Sequence, residues 1–237
     1  MPGQNQTSKA RRHPPGLFAS MPGINNLFNT ALDLVFPPRC LGCHRVDWRW
    51  CPRCQADVIA LPIRPQRASA AGVKVISTGT HEGLLMTAVQ ALKYEHATEL
   101  AAPLAKRLAA ILKRAPWQID RIIPVPMPSA RLAKRGYNQA KLIADELARQ
   151  RNLPCDPDTL TRTRETPTQV GLTREQRLAN VSGAFKATTD LTGAHVLIVD
   201  DVFTTGATMA ACITAAYTAG ASHVFGLTVT AAVNPRL

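Results

Sequence analysis

Apolar residues along the chain recur in two periods, and together they lay out an alternation of helices and strands. Ile24, Leu27, Phe28, Ala31, Leu34 and Val35 fall at helical spacing. The helix they predict must stop at Phe36-Pro37-Pro38, because a residue before proline is pushed out of the helical region. Residues 83–93 and 98–114 predict two further helices, and 139–150 a third, with Leu142, Ile143 and Leu147 as its apolar positions. The Ala- and Thr-rich stretch 206–219 predicts a last helix, ended by Gly220. Between them lie short strand-like runs at 73–78, 119–125, 194–199 and 222–230. Apart from His195 the run 194–199 is apolar, as in a strand covered on both faces. Strand, helix, strand in succession predicts an α/β fold built on a parallel sheet.

The remaining segments set the domain plan. Residues 1–22 are polar, with Pro2, Pro14, Pro15 and Pro22, and read as a disordered arm. Met21-Pro22-Gly23 repeats Met1-Pro2-Gly3, which makes Met21 an alternative start. Residues 23–60 hold the first helix and four cysteines, forming a small N-terminal module. Residues 61–118 read as a linker, Pro-, Ala- and Arg-rich over 61–72, followed by a helical hood region. Residues 119–237 form the α/β domain proper.

Composition narrows the classes. No run approaches the roughly 20 apolar residues of a membrane span, so an integral membrane protein is not expected. Asn25, Asn26 and Asn29 interrupt the N-terminal apolar stretch, which argues against a secretory signal and for a cytoplasmic location. Six cysteines in such a chain are metal ligands, reactive thiols or core residues rather than a disulfide framework. The net charge of +12, from 28 basic and 16 acidic residues, favours an anionic partner or reflects a generally basic proteome. Half of the excess lies before residue 71, with nine basic residues against three acidic ones. If nucleic acid is the partner, that part of the chain is the first place to look.

Cys40-Leu-Gly-Cys43 and Cys51-Pro-Arg-Cys54 are two CxxC pairs, seven residues apart. Each CxxC turn points both sulfurs at one spot, and two turns supply a closed tetrahedral thiolate set, which suits structural zinc. An iron–sulfur cluster is the chemical runner-up. His44 stands beside the set as a solvated neighbour or substitute ligand. Cys155 and Cys212 have no cysteine near them and read as small core residues.

The most informative segment is 196–208. A buried strand ends in Asp200-Asp201, and Thr204-Thr205-Gly206-Ala207-Thr208 turns into a helix. Acids at the carboxyl end of a parallel strand stand where open α/β sheets bind ligands. A Thr/Gly turn at a helix N-terminus offers N–H groups and hydroxyls to a phosphate. Carboxylates beside a phosphate cradle fit a ligand that places hydroxyls or Mg²⁺ between the two, as a sugar phosphate does. A ligand-free capping turn and a Walker B strand are the competing readings, and the second lacks its GxxxxGK[ST] loop here.

Residues 196–208 resemble the ribose-5-phosphate motif of type I phosphoribosyltransferases. From Phe36 onward the chain resembles the ComF (competence protein F) family, a double zinc ribbon joined to a type I phosphoribosyltransferase-like domain. The resemblance rests on Phe36-Pro-Pro-Arg-Cys40 with its CxxC pairs, Leu92-Lys93-Tyr94, Val125-Pro126 and Arg135-Gly136-Tyr137-Asn138-Gln139. It continues through Arg177 with Asn180 and Gly183-Ala184-Phe185. Tyr137 stands where Phe is frequent, and His81 where an aromatic is common.

The resemblance implies roles. Asp200 and Asp201 would hold the ribose hydroxyls of phosphoribosyl pyrophosphate, and Thr204, Thr205, Gly206, Ala207 and Thr208 would wrap its 5-phosphate. Arg135, expected at the start of a helix, would face the diphosphate, and Mg²⁺ would neutralise it. Residues 162–177, with Arg162, Arg164, Arg174 and the catalytic candidate Arg177, resemble a loop that closes over the ligand. The implied activity is pentosyl transfer, that of a glycosyltransferase. The implied setting is DNA uptake in natural transformation, with a nucleotide-like ligand, single-stranded DNA and a competence helicase or other competence protein as partners. The alternative is an active phosphoribosyltransferase of nucleotide metabolism with an unknown acceptor.

Overall fold

The structure is a computed structural model that describes residues 37–163 and 183–232. The N-terminal arm, the helix expected over 24–35, and Arg164, Arg174, Arg177 and Asn180 lie outside the described residues. The elements, in chain order, are α1 (Pro52–Ala60), β1 (Gln66–Ala70), β2 (Val73–Ser77), α2 (Gly83–Tyr94) and α3 (Ala101–Leu112). Then follow β3 (Arg121–Pro124), α4 (Ser129–Arg135), α5 (Gln139–Arg151), β4 (Leu160–Arg162) and β5 (Phe185–Ala187). The last three are β6 (His195–Phe203), α6 (Ala207–Thr218) and β7 (His223–Ala231).

Five strands make the main sheet in the order β1-β2-β7-β6-β3. The pairs β2/β7, β7/β6 and β6/β3 are parallel, and β1 closes one edge as an antiparallel hairpin with β2. The α/β expectation therefore holds, with a sheet that is mostly parallel. A separate two-stranded ribbon pairs β4 with β5.

The period-2 alternation of β6 splits the core in two. Leu197 and Val199 pack with Leu85, Leu92, Leu104, Leu108, Ile143 and Leu147, the buried stripes of α2, α3 and α5. Val196 and Ile198 pack with Met209, Cys212, Ile213 and Ala216 of α6. A strand flanked by both layers is apolar on both faces, as 196–199 is. Cys212 is fully buried and Cys155 partly so, packed against the other layer.

Cys40, Trp50, Cys51, Cys54 and Val58 belong to the same apolar cluster as α2, α3 and α5. Arg107 of α3 joins the two regions. It is 2% exposed and has no carboxylate partner among the described residues. Its guanidinium donates to the carbonyls of Val58 (3.0 Å), Leu61 (2.7 Å) and Pro62 (3.4 Å), and to the Thr78 hydroxyl (3.2 Å). The carbonyl end of α1, where the helix dipole is negative, thus solvates a buried charge.

Four local expectations change. The second CxxC opens α1, with Cys51 as N-cap and Pro52 in the first turn. Residues 61–72, expected as linker, contain β1. The strand carrying the acid pair does not end at it but runs on to Phe203, paired with Ala231. Arg135 is the last residue of α4, not the first of a helix; the next helix starts at Gln139, capped by Asn138, whose side chain accepts from the Ala140 N–H.

Candidate functional site

At the carboxyl ends of β6 and β3 a cleft of about 420 Å³ opens. Asp200, Asp201, Thr204 and Thr208 line one part of it; Lys93, Tyr94, Arg131, Arg135, Gln139 and Arg162 are among the residues that line another. The strand places Asp200 and Asp201 by alternation, and Asp200 Oδ1 accepts from the Asp201 N–H at 2.8 Å. Burial and repulsion from Asp201 push Asp200 up to about 8, against the pull of that hydrogen bond and of Lys93. Asp201 is 4% exposed. Lys93 Nζ meets its Oδ1 at 3.0 Å, and its Oδ2 is buried with no partner among the described residues. A buried carboxylate oxygen without a donor, beside an open cleft, fits a ligand hydroxyl or a cation.

The turn after β6 is shaped by Gly206. Its φ is +79°, a region that L side chains avoid, and an added Cβ would lie 2.7 Å from the Phe203 ring. It caps α6, so the first N–H groups of that helix have no helical partner. A hollow of about 30 Å³ in the turn is lined by Asp200, Thr204, Gly206, Ala207 and Thr208, among others. Thr205 lines neither cavity; its hydroxyl accepts from the Ala207 N–H at 3.5 Å.

Arg135 reaches the cleft from the end of α4. Its guanidinium lies over the Tyr94 ring, 5.3 Å from the centroid, and donates to the Gln139 side chain. Asn138 donates to the Val125 carbonyl at 2.9 Å, tying α5 to the end of β3. Tyr137 uses the hydroxyl that a Phe would lack to donate to the Leu92 carbonyl, next to Lys93.

Sequence reasoning gave no role to Lys93, His81, Tyr94 or Arg131, all of which line the cleft. His81 Nδ1 lies 2.9 Å from the Thr230 hydroxyl, and burial together with the Lys93 charge lowers its pKa, against Asp201. The available signal was the triplet Leu92-Lys93-Tyr94. A cation on a helix gives no local sign that it pairs with an acid on a distant strand.

The four cysteines of the N-terminal region form the second site. Their sulfurs lie within 4.8 Å of one another, with Cys43 Sγ and Cys51 Sγ 3.5 Å apart. A tetrahedral ion with Zn–S bonds of about 2.3 Å needs sulfurs roughly 3.8 Å apart, so the set can hold one zinc ion. The Cys51 N–H donates to Cys40 Sγ at 3.3 Å. Burial opposes the Cys40 thiolate, but N–H groups of Cys51, Cys43 and Gly42 outweigh it and hold the thiol down at about 7. Gly42 leaves room for the set, because a Cβ there would lie 2.8 Å from Cys54 Sγ. His44 is exposed, and no metal-binding group among the described residues includes it. Among the described residues, no helix is long and apolar enough to cross a membrane.

Residues 94–234 match the family model described as "Phosphoribosyl transferase domain". The chain is 36% identical over 142 residues to the "DNA utilization protein YhgH" of Salmonella typhi, covering 58% of this chain and 63% of that protein. The protein of that name from Escherichia coli O157:H7 is 31% identical over 202 residues, covering 81% of this chain and 89% of it. "Competence protein F" of Haemophilus influenzae is 38% identical over 93 residues, covering 38% of this chain and 41% of that one. The chain belongs to the phosphoribosyl transferase domain family, and within it to the ComF group, whose four-cysteine ribbon it carries.

Proposed function

We propose that the cleft binds phosphoribosyl pyrophosphate, or a closely related sugar phosphate, as part of a cytoplasmic DNA-utilisation process. One observation carries this reading: Asp200, Thr204 and Thr208 line both the cleft that Asp201 borders, whose Oδ2 has no partner among the described residues, and the hollow of the Gly206 turn. Asp200 and Asp201 accept hydrogen bonds from the ribose hydroxyls. The turn from Thr204 to Thr208 takes the 5-phosphate on N–H groups and hydroxyls. Arg131 and Arg135 face the diphosphate as fixed positive charge. Asp201, with Asp200 once a bound cation offsets its raised pKa, would hold Mg²⁺, which would supply charge neutralisation to a departing pyrophosphate. Developing positive charge on the ribose ring, as in glycoside chemistry, is stabilised by the same two acids. Zinc in the four-cysteine set is structural, because a closed thiolate set leaves no position for water.

The setting is supported by the names of the relatives, "DNA utilization" and "Competence". Single-stranded DNA and a competence helicase are the partners this setting calls for, and Arg177, outside the described residues, is the further catalytic candidate. Calorimetry with phosphoribosyl pyrophosphate and Mg²⁺ tests the reading. Micromolar binding is expected, weakened at least tenfold in Asp201→Asn. Absence of binding, or equal binding by that variant, refutes it. Pyrophosphate release in the presence of a metabolite pool separates a catalyst of nucleotide metabolism from a protein that only binds.

A further inference from the structure

A second cavity, of about 530 Å³, opens between the β1–β2 hairpin and the C-terminal end of α3, and it shares no lining residue with the cleft. Its lining is largely apolar, with Ile76 and Ile111 on its walls. Trp117 also lines it, with its ring stacked on Phe225 at 4.7 Å and 19° between planes. Three cations border the same space: Arg67, Lys74 and Arg114. All three are exposed, and among the described residues none is within salt-bridge distance of a carboxylate. The sequence explains this. No Asp or Glu occurs between Asp57 and Glu82, or between Glu99 and Asp120, and these two segments supply the entire lining.

We propose that this cavity binds a nucleoside polyphosphate, the base against Trp117 and the phosphates among Arg67, Lys74 and Arg114. The cation count selects the ligand. Three uncompensated charges around one space call for two or more negative charges, whereas the carboxylate of a fatty acid balances one. A braced indole edge and an apolar wall take a flat ring, and the volume falls within the roughly 300–1,000 Å³ of small-molecule pockets. A nucleic-acid strand needs a row of aromatic seats along a cationic track. A single cavity fits a free nucleotide instead. The proposal uses no cleft residue, so it stands or falls apart from the phosphoribosyl reading.

The test is titration of the full chain with ADP, followed by tryptophan fluorescence and calorimetry, in the parent and in Arg67→Ala/Arg114→Ala. Saturable binding that weakens at least tenfold in the double variant, at unchanged melting temperature, is the expected result. No saturable binding, or binding that the double variant retains, overturns the site. An oligothymidylate that binds there more tightly than ADP overturns the nucleotide in favour of a strand. Binding of palmitate but not ADP overturns it in favour of an acyl ligand.

Discussion

Replacing Arg107 with methionine probes the joint between the cysteine ribbon and the sheet. Methionine keeps most of the aliphatic volume and removes the five donors. Two carbonyls, the buried one of Val58 and the part-buried one of Leu61, lose their short bonds of 3.0 and 2.7 Å. The Pro62 carbonyl loses a longer one at 3.4 Å, while the Thr78 hydroxyl keeps its bond to the Val229 carbonyl. Each stranded acceptor costs about 1–3 kcal/mol, offset in part because methionine is easier to bury than a charge, so the net is about 3 kcal/mol. For a chain of this size that lowers the melting temperature by roughly 6–12 °C. Zinc release to a chelator should quicken as well, since α1 carries Cys51 and Cys54 at its other end. Lys106→Met, on the exposed side of the same helix, is the control and should melt like the parent. If Arg107→Met melts within about 2 °C of the parent, water replaces the guanidinium and the joint contributes little.

Three further predictions concern the two sites. Asp200 has a folded pKa raised to about 8 from an ordinary 3.8, so its contribution is full below about 4 and lost as pH rises through 8. Asp200→Asn cannot ionise and should gain on the parent across that window, by at most about 1.4 kcal/mol per pH unit; a pH-independent difference in urea midpoints contradicts this. Lys93→Met leaves Asp201 buried without its partner and should cost roughly 2–4 kcal/mol, most of it recovered by adding Asp201→Asn. Simple additivity in that cycle would show that the pair does not matter. Cys51→Ser with Cys54→Ser should lower bound zinc from one ion per chain to none, by atomic absorption; retained metal shows that other residues hold it.

What could be read from sequence had local causes. The run 194–199 and the Ala-rich 206–219 announce a buried strand and a helix because each pattern depends only on neighbours along the chain. Asp200, Asp201 and the cysteines were legible because spacing alone brings them together. β1 was not, because Gln-Arg-Ala-Ser-Ala has no apolar contrast beyond alanine. Its one signal is the Ala71-Gly72 turn, with φ of 47° and 76°, which joins it to β2 as a tight hairpin. α1 was hidden because the CxxC it starts from reads as a turn. Lys93 reaches Asp201, and His81 the Thr230 hydroxyl, only through packing, and the 530 Å³ cavity exists only once two acid-free segments meet.

The ribbon shares a core with α2, α3 and α5, and this bears on how the protein can be cut. The family-model match starts at residue 94, the last residue of α2. A fragment drawn from that boundary would keep the acid pair and the Gly206 turn yet discard β1 and β2, two of the five strands. It would also discard Lys93, the partner of Asp201, and the carbonyls that hold Arg107. The smallest unit worth expressing starts ahead of Cys40, and an excised phosphoribosyl domain would report on its own damage rather than on the cleft.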